Sequence, residues 1–186
     1  DFAQANGLWL HVDGAHGASA ALSPKLRHLV DGIERADSVV WDAHKLLGVP
    51  SLSTAVLFRE GRRSHEAFAQ EASYLFDTSV QDNWWDGGRR TLECTRRTLA
   101  LPLYTVLACY GEPALIDHVE TLHDLARRFA STLREQDDFE LGHEPESNIV
   151  CFRYTPGGSE DPDALQARLR ESGGASSALF LLCTTL

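Results

Sequence analysis

The sequence contains no methionine, no long apolar run and comparatively few basic side chains. No stretch approaches the roughly 18 consecutive apolar residues that a membrane helix needs, so a membrane protein is not expected. Lys and Arg total 17 against 27 Asp and Glu, a net charge of −10 that argues against a basic nucleic-acid-binding surface. Hydrophobic residues make up 43% of the 186 positions, which excludes a disordered chain and predicts a folded core.

Cysteine is also scarce, and the four cysteines (Cys94, Cys109, Cys151 and Cys183) form no CxxC pair. Neither a disulfide framework nor a zinc knot is therefore expected. We expect reduced thiols in a cytoplasmic protein instead. No part of the sequence has the pattern of a signal peptide, so none is expected. It opens on DFAQANGLWLHVDG without an initiating methionine and closes on the apolar ALFLLCTTL. We interpret it as an internal fragment of a longer protein, and we expect this fragment alone to be inactive.

The first half of the chain has the pattern of an α/β fold. Short apolar segments bounded by polar residues predict buried strands, and they occupy residues 8–13, 38–42 and 54–59. Residues 23–36, between the first two strands, predict a short helix that begins at a Ser-Pro pair. This order predicts a sheet that is at least partly buried on both faces. Residues 92–110 predict a buried helix interrupted by Pro102.

The pattern changes near Glu112. Apolar residues then recur at alternating steps of four and three, which predicts one long amphipathic helix; they are Leu115, Val119, Leu122, Ala126, Phe129 and Leu133. A strand at 147–155 and a helix at 162–172 follow. We therefore predict that residues 1–111 belong to a larger α/β domain and that residues 112–186 begin a smaller, incomplete α+β domain.

Two polar clusters follow predicted strands, where α/β sheets place their ligand sites. The first is HVDGAHG at residues 11–17, and the second is DAHK at residues 42–45. His11, Asp13 and His16 are residue types that bind zinc, so a metal-dependent hydrolase is one interpretation of the first cluster.

Lys45 favours a different interpretation. It lies between an apolar strand and the apolar LLGVP, so we expect it to be partly buried, which is unfavourable for an amine that is neither paired nor used chemically. One chemical use is a Schiff base with an aldehyde cofactor. Pyridoxal phosphate needs such a lysine and also a carboxylate at its pyridine nitrogen, for which Asp13 is the candidate. Opposite charges about 3 Å apart attract by roughly 5 kcal/mol at an effective dielectric near 20, enough to hold the ring proton.

Taken together, HVDGAHG and ADSVVWDAHKLLGVP resemble the group II pyridoxal-phosphate-dependent amino-acid decarboxylases. The family pattern is H-V-D-A-A followed about 30 residues later by N-P-H-K, and here Asp13 and Lys45 are 32 positions apart. The resemblance continues through AQEASYLF, LECTRR and EPESNIVCFRYTP, and so covers most of the chain. It implies part of the large domain of a fold-type I pyridoxal-phosphate enzyme, running into an α+β C-terminal small domain. It also implies a cytoplasmic homodimer that acts on an amino acid, with pyridoxal 5'-phosphate as cofactor.

The resemblance assigns roles to individual residues. Lys45 is implied as the Schiff-base lysine, Asp13 as the partner of the pyridine nitrogen, and Ala15 as the residue that packs on the ring face. His44 and Asp42 are implied to lie beside the cofactor phosphate. The family often has Asn in place of Asp42, and a carboxylate facing the phosphate would be repelled by it.

Tyr74, in the segment ASYLF, is implied as the loop tyrosine that helps to protonate the α-carbon after carbon dioxide leaves. Gly14 replaces a usual alanine and His16 a usual aromatic residue, which points to a different choice of substrate. The implied reaction converts an L-amino acid to its amine and carbon dioxide. Three alternatives stay open: an aminotransferase or another lyase of the same cofactor class, the metal-dependent hydrolase, and a non-catalytic binding or assembly domain.

Overall fold

A computed structural model describes residues 2–50, 52–66, 68, 87–93, 97–157 and 161–175 of the chain. The chain divides into two compact units, Asp1–Glu120 and Thr121–Leu186. This division by compactness falls inside a helix. The predicted domain boundary between residues 111 and 112 stays a prediction.

The first unit contains a three-stranded sheet. Its strands are β1 (His11–Asp13), β2 (Ser38–Asp42) and β3 (Thr54–Phe58), in the spatial order β1-β2-β3. β1 pairs with β2 in parallel, and β3 pairs with β2 in antiparallel orientation. β2 and β3 match the strands predicted at 38–42 and 54–59, whereas β1 covers only the second half of the predicted segment 8–13.

The connection from β1 to β2 is built from 3₁₀ turns where a single short helix was predicted. These turns are Gly17–Leu22, Arg27–Val30 and Ile33–Arg35. Gly32, with φ of 93°, adopts the left-handed conformation between the last two and so prevents one continuous helix. The turns still return the chain to the end of the sheet at which β1 begins, as a parallel connection requires.

The predicted burial of residues 8–13 is wrong for the described part of the chain. Leu8 and Trp9 are 53% and 51% exposed, and His11 and Asp13 are exposed as well. β1 forms a ladder with β2 along one edge, and no described strand pairs with its other edge. The apolar residues beside β1 therefore remain in contact with solvent.

The described chain also contains four α-helices, and the longest of them spans the boundary between the two units. Within the described ranges the α-helices are α1 (Phe2–Ala5), α2 (Gly61–Glu66), α3 (Ala100–Arg134) and α4 (Pro162–Ala175), and Gly87–Arg90 forms a further 3₁₀ turn. None of these helices is both long and apolar enough to cross a lipid bilayer.

The start of α3 differs from the helix predicted at 92–110. It begins at Ala100, so Pro102 falls in the first turn, where a missing N–H is tolerated and the helix is not interrupted. The break comes at Gly111, whose φ of 77° lies in the left-handed region. The predicted burial is also wrong, since large apolar side chains in this stretch are exposed: Leu101, Tyr104, Leu107 and Tyr110.

Beyond Gly111, α3 follows the predicted apolar stripe. Leu115 and Val119 are buried in the first unit, and Ala126 and Leu133 are buried in the second. Phe129 is the exception on the stripe, since it is 45% exposed.

The second unit adds a small antiparallel sheet. It pairs β4 (Phe139–Leu141) with β5 (Phe152–Tyr154), and β4 was not predicted from the sequence. The Phe152 ring packs edge-to-face on Phe129, with centroids 5.5 Å apart. Gln166 of α4 donates to the Tyr154 carbonyl at 2.6 Å, which ties the last described helix to this sheet.

Candidate active site

The two predicted clusters lie at one edge of the sheet. β1 and β2 run in the same direction, so Asp13 and Asp42 both end their strands at this edge. Asp13 is in register with Val40, and Asp42 lies two residues further along β2. Because side chains alternate along a strand, Asp13 and Asp42 are on the same face of the sheet. The Asp42 N–H donates to the Ala15 carbonyl at 3.1 Å and so links the two clusters directly.

Lys45 lies in the turn that follows β2. Its N–H donates to the Asp42 carbonyl at 3.2 Å, and its Nζ lies 2.9 Å from Asp42 Oδ2. The apolar neighbours fix this turn, because they are all buried: Ala43, Leu46, Leu47 and Val49. The Lys45 side chain is 44% exposed, so it is partly buried, as expected. The flanking apolar residues occupy the core, and the amine remains accessible.

Asp42 is the buried charge of the site, with 6% of its surface exposed. A hydrogen bond from Thr54 is the largest effect that lowers the pKa of Asp42. Burial opposes it, and the hydrogen bond and charge of Lys45 lower this pKa further. Its Oδ1 atom is buried and has no hydrogen-bond partner within the part of the chain that the structure describes. The carboxylate is therefore charged at neutral pH, and one of its oxygens has unused capacity to accept a hydrogen bond.

His44 is held by the backbone at the start of β3. Its Nδ1 lies 3.1 Å from the Ser53 carbonyl oxygen and 3.3 Å from the Ser53 nitrogen, and its Nε2 lies 3.9 Å from Asp42 Oδ2. Sequence reasoning did not identify Ser53 and Thr54. The antiparallel hairpin formed by β2 and β3 brings them here, because Asp42 is in register with Thr54.

Asp13 shapes the turn that follows β1. Its Oδ1 accepts the N–H of Ala15 at 3.1 Å, and Ala15 is buried beneath the turn. Gly14, between them, has almost no free space around its Cα. A Cβ there would lie 2.7 Å from Ala18 Cβ and 3.0 Å from the Val40 carbonyl oxygen.

We expect Gly14→Ala to destabilise the first unit by about 1–3 kcal/mol, because the added methyl meets rigid atoms of the neighbouring turn and strand. Gly17→Ala is the matched control, since nothing lies within 4 Å of its would-be Cβ, and we expect it to be neutral or slightly stabilising. Denaturant unfolding of both variants measures the difference. Equal stability of the two variants would show that the contact around Gly14 relaxes freely.

Residues of α3 also contact the site, and the sequence analysis did not predict these contacts. His118 Nε2 lies 3.2 Å from the Leu46 carbonyl oxygen, within the turn that carries Lys45. Glu120 accepts hydrogen bonds from Lys25 Nζ at 2.5 Å and from Ser23 Oγ at 2.6 Å. The hydrogen bonds from Lys25 and then Ser23 lower the pKa of Glu120. These contacts join sequence positions that are 72 to 97 residues apart, so no local pattern could predict them.

The described residues do not reproduce the metal interpretation. No group of three His, Cys, Asp or Glu side chains in the described ranges is arranged to hold a metal ion. His11 lies at the opposite end of β1 from the turn, and its Nδ1 is 2.7 Å from Ser38 Oγ. Tyr74, the remaining predicted catalytic residue, lies outside the described residues.

Comparison with known proteins identifies the kind of domain that carries this geometry. Residues 1–155 match the family model described as the pyridoxal-dependent decarboxylase conserved domain. Cysteine sulfinic acid decarboxylase from Homo sapiens is 38% identical over 175 residues, which cover 88% of this chain and 34% of that protein. An acidic amino acid decarboxylase from Xenopus tropicalis is 37% identical, covering 80% of this chain and 30% of that protein. The chain thus spans about a third of the length of these relatives.

A solved structure extends the likeness to the fold. Oryza sativa TDC with PLP and tryptamine superposes with a TM-score of 0.87 at 27% identity, covering 99% of this chain and 39% of that one. The predicted fold class is confirmed: the chain has the α/β fold of part of a fold-type I pyridoxal-phosphate enzyme. The predicted cofactor is confirmed at the level of the family, whose domain is pyridoxal-dependent.

Proposed function

Because this chain belongs to the pyridoxal-dependent decarboxylase family, we propose that it is part of an enzyme that removes the α-carboxylate of an L-amino acid as carbon dioxide. The observation that carries the proposal is the single sheet edge that holds Asp13, Asp42 and Lys45. When bound, pyridoxal phosphate supplies an electron-withdrawing ring that accepts the electron pair left by the departing carbon dioxide.

The residues at this edge fit that cofactor in three respects. Lys45 offers an accessible primary amine on a fixed turn, as covalent attachment of an aldehyde requires. Asp13 offers an exposed carboxylate on the same face of the sheet, where it would hold a proton on the ring nitrogen. Ala15, which is small and buried, would let a flat ring approach the turn.

The phosphate side of the proposed site rests on His44 rather than on Asp42. Asp42 is charged at neutral pH and would repel a phosphate. His44 Nε2 lies further from the Asp42 carboxylate than Lys45 Nζ does, at 3.9 Å against 2.9 Å, and its other ring nitrogen is fixed by Ser53. With Nδ1 accepting the Ser53 N–H at 3.3 Å, the ring would carry its N–H on Nε2, where it would donate to a phosphate oxygen.

We further propose that Tyr74 assists the transfer of a proton to the α-carbon, as the family resemblance implies. In the full-length protein that carries this sequence, Tyr74→Phe should lower amine formation by roughly 10²-fold while substrate binding changes little. Protonation at the cofactor carbon instead, followed by hydrolysis, would release an aldehyde and leave the amino group on the cofactor, which would be inactivated, so the ratio of aldehyde to amine product should rise. Chromatographic product analysis measures this ratio, and an unchanged amine yield would leave Tyr74 as a packing residue.

The relatives at 37–38% identity are named for decarboxylation of cysteine sulfinate and acidic amino acids, so we propose an acidic substrate. Carbon dioxide release from the full-length protein should be fastest with cysteine sulfinate, aspartate or glutamate and slower with tryptophan. Formation of an oxo acid without carbon dioxide would instead favour an aminotransferase. The homodimer and the cytoplasmic location are proposed from the resemblance; analytical ultracentrifugation and fractionation test them.

A further inference from the structure

The phosphate-binding role predicted for Asp42 is electrostatically unfavourable, because its charged carboxylate would repel a phosphate. The chain has two lysines, Lys25 and Lys45, and each has an acidic partner: Glu120 for Lys25 and Asp42 for Lys45. The two pairs differ in their surroundings. Lys25 is 78% exposed at the surface, whereas Lys45 lies in the proposed active site beside an almost fully buried acid.

We propose that Asp42 is the counter-ion of Lys45, a positioning residue whose carboxylate holds the Lys45 side chain in place whenever it is not bonded to the cofactor. This inference rests on the proposed function only for its consequence in catalysis. The ion pair itself, with Lys45 Nζ 2.9 Å from Asp42 Oδ2, is formed by residues of this chain alone.

The backbone fixes both members of the pair relative to each other. The Asp42 N–H is bonded to Ala15, and the Ala43 N–H donates to the Ser53 carbonyl at 2.9 Å. The turn hydrogen bond from the Lys45 N–H to the Asp42 carbonyl sets the spacing of the two side chains. A rigid, buried acid thus faces a lysine whose side chain remains accessible, and this geometry restricts where the amine rests.

The surrounding groups favour this role. Among the described residues, His44 also faces Asp42, with Nε2 at 3.9 Å from Oδ2. Asp13 lies on the same face of the sheet, and β3 contributes the uncharged Thr54 hydroxyl. The Thr54 hydrogen bond and the Lys45 charge keep the pKa of Asp42 low, so the carboxylate is a weak base. Asp42 therefore acts as a charged partner of Lys45 and not as a base that would take a proton from it.

The chemical consequence concerns the reactivity of Lys45. An ammonium has no free electron pair and cannot attack a carbonyl carbon, so its proton must pass to solvent or to another base before an aldehyde can bond to the nitrogen. The Asp42 carboxylate would hold back this step. It would slow adventitious reaction of the Lys45 amine with acylating agents and stray aldehydes, and it would keep the lysine in place when a substrate amine has displaced it.

Trace labelling with isotopic acetic anhydride tests the pair without any cofactor, since only neutral amines react. In the cofactor-free protein, Asp42→Asn should raise the labelling rate of Lys45 at pH 7 by roughly three- to tenfold, because one charge partner is lost. Above about pH 11, where lysine amines are largely neutral, variant and parent should react alike. Lys25 should be unaffected, and mass spectrometry of the two lysine-containing peptides reads both sites.

Glu120→Gln is the matched control. It should change the labelling of Lys25 by a smaller factor, because that pair is more exposed, and it should leave Lys45 unchanged. Equal Lys45 labelling at pH 7 in the parent and in Asp42→Asn would overturn the proposal. A parallel rise of both lysines would also overturn it, since that result reports a general loosening of the fold.

The reciprocal substitution keeps the test valid if Asp42→Asn does not fold. Lys45→Met removes the ammonium from a half-exposed position, and the pKa of Asp42, followed by carboxyl ¹³C NMR, should then rise from its lowered value. An unchanged Asp42 pKa would contradict the ion pair. Failure of the parent to take up pyridoxal phosphate would refute the proposed function instead, and it would leave the labelling result standing.

Discussion

Lys45→Ala should abolish both carbon dioxide release and covalent capture of the cofactor in the full-length protein. Lys45 Nζ is the amine at the sheet edge where Asp13 and Asp42 also end. Loss of a residue that forms a covalent bond in catalysis typically lowers turnover by at least about a thousandfold. Borohydride reduction in the presence of pyridoxal phosphate, followed by mass spectrometry of the digested protein, should find the reduced adduct on the Lys45 peptide of the parent and not in the variant.

The second lysine of the chain provides the control for this experiment. Lys25 is exposed and paired with Glu120, so Lys25→Ala removes an amine of the same type from a different place on the fold. It should leave the adduct on Lys45 and the decarboxylation rate unchanged. An adduct that forms on Lys25 or elsewhere while Lys45 stays unmodified would contradict the assignment of Lys45.

The strand that ends at Asp42 could be predicted, because its apolar pattern is local in the sequence. The spacing of Asp13 and Lys45 is likewise visible in the sequence itself. β2 coincides with the apolar run at 38–42, and the parallel pairing of β1 with β2 brings the two clusters together as expected. Burial was the least predictable property. A lysine between apolar segments can be buried or exposed, and the direction of the turn after Asp42 decides which; that direction depends on bonds to Ala15 and Ser53.

The residues that hold Asp42, His44 and the Lys45 turn in place could not be predicted either, because they are distant in sequence. Thr54 and Ser53 reach Asp42 and His44 through the β2–β3 hairpin, and His118 reaches the Lys45 turn from a helix far along the chain. The helix breaks were also misjudged. Pro102 falls in a first turn, where proline is tolerated, and the break occurs at Gly111 because its left-handed backbone conformation ends the helical hydrogen bonding.

Asp13→Asn should slow decarboxylation by roughly 10²- to 10⁴-fold while the fold and cofactor uptake are retained. The substitution nearly preserves shape, and the asparagine carbonyl oxygen can still accept the Ala15 N–H that Asp13 Oδ1 accepts at 3.1 Å. What is lost is the negative charge that would hold a proton on the ring nitrogen. Without that proton the ring withdraws electrons less strongly, so the departure of carbon dioxide becomes harder.

Asp13→Ala separates the charge from the turn hydrogen bond. It removes both, so it should lower the free energy of unfolding by about 0.5–1.5 kcal/mol through the unpaired Ala15 N–H, whereas Asp13→Asn should unfold close to the parent. The two variants should nevertheless have similarly low turnover, because both lack the charge. Steady-state carbon dioxide release and denaturant unfolding, measured on the parent and both variants, give the comparison. Near-parental turnover in Asp13→Asn would refute the electrostatic role of Asp13, and slow turnover in Asp13→Ala alone would reduce that role to support of the turn.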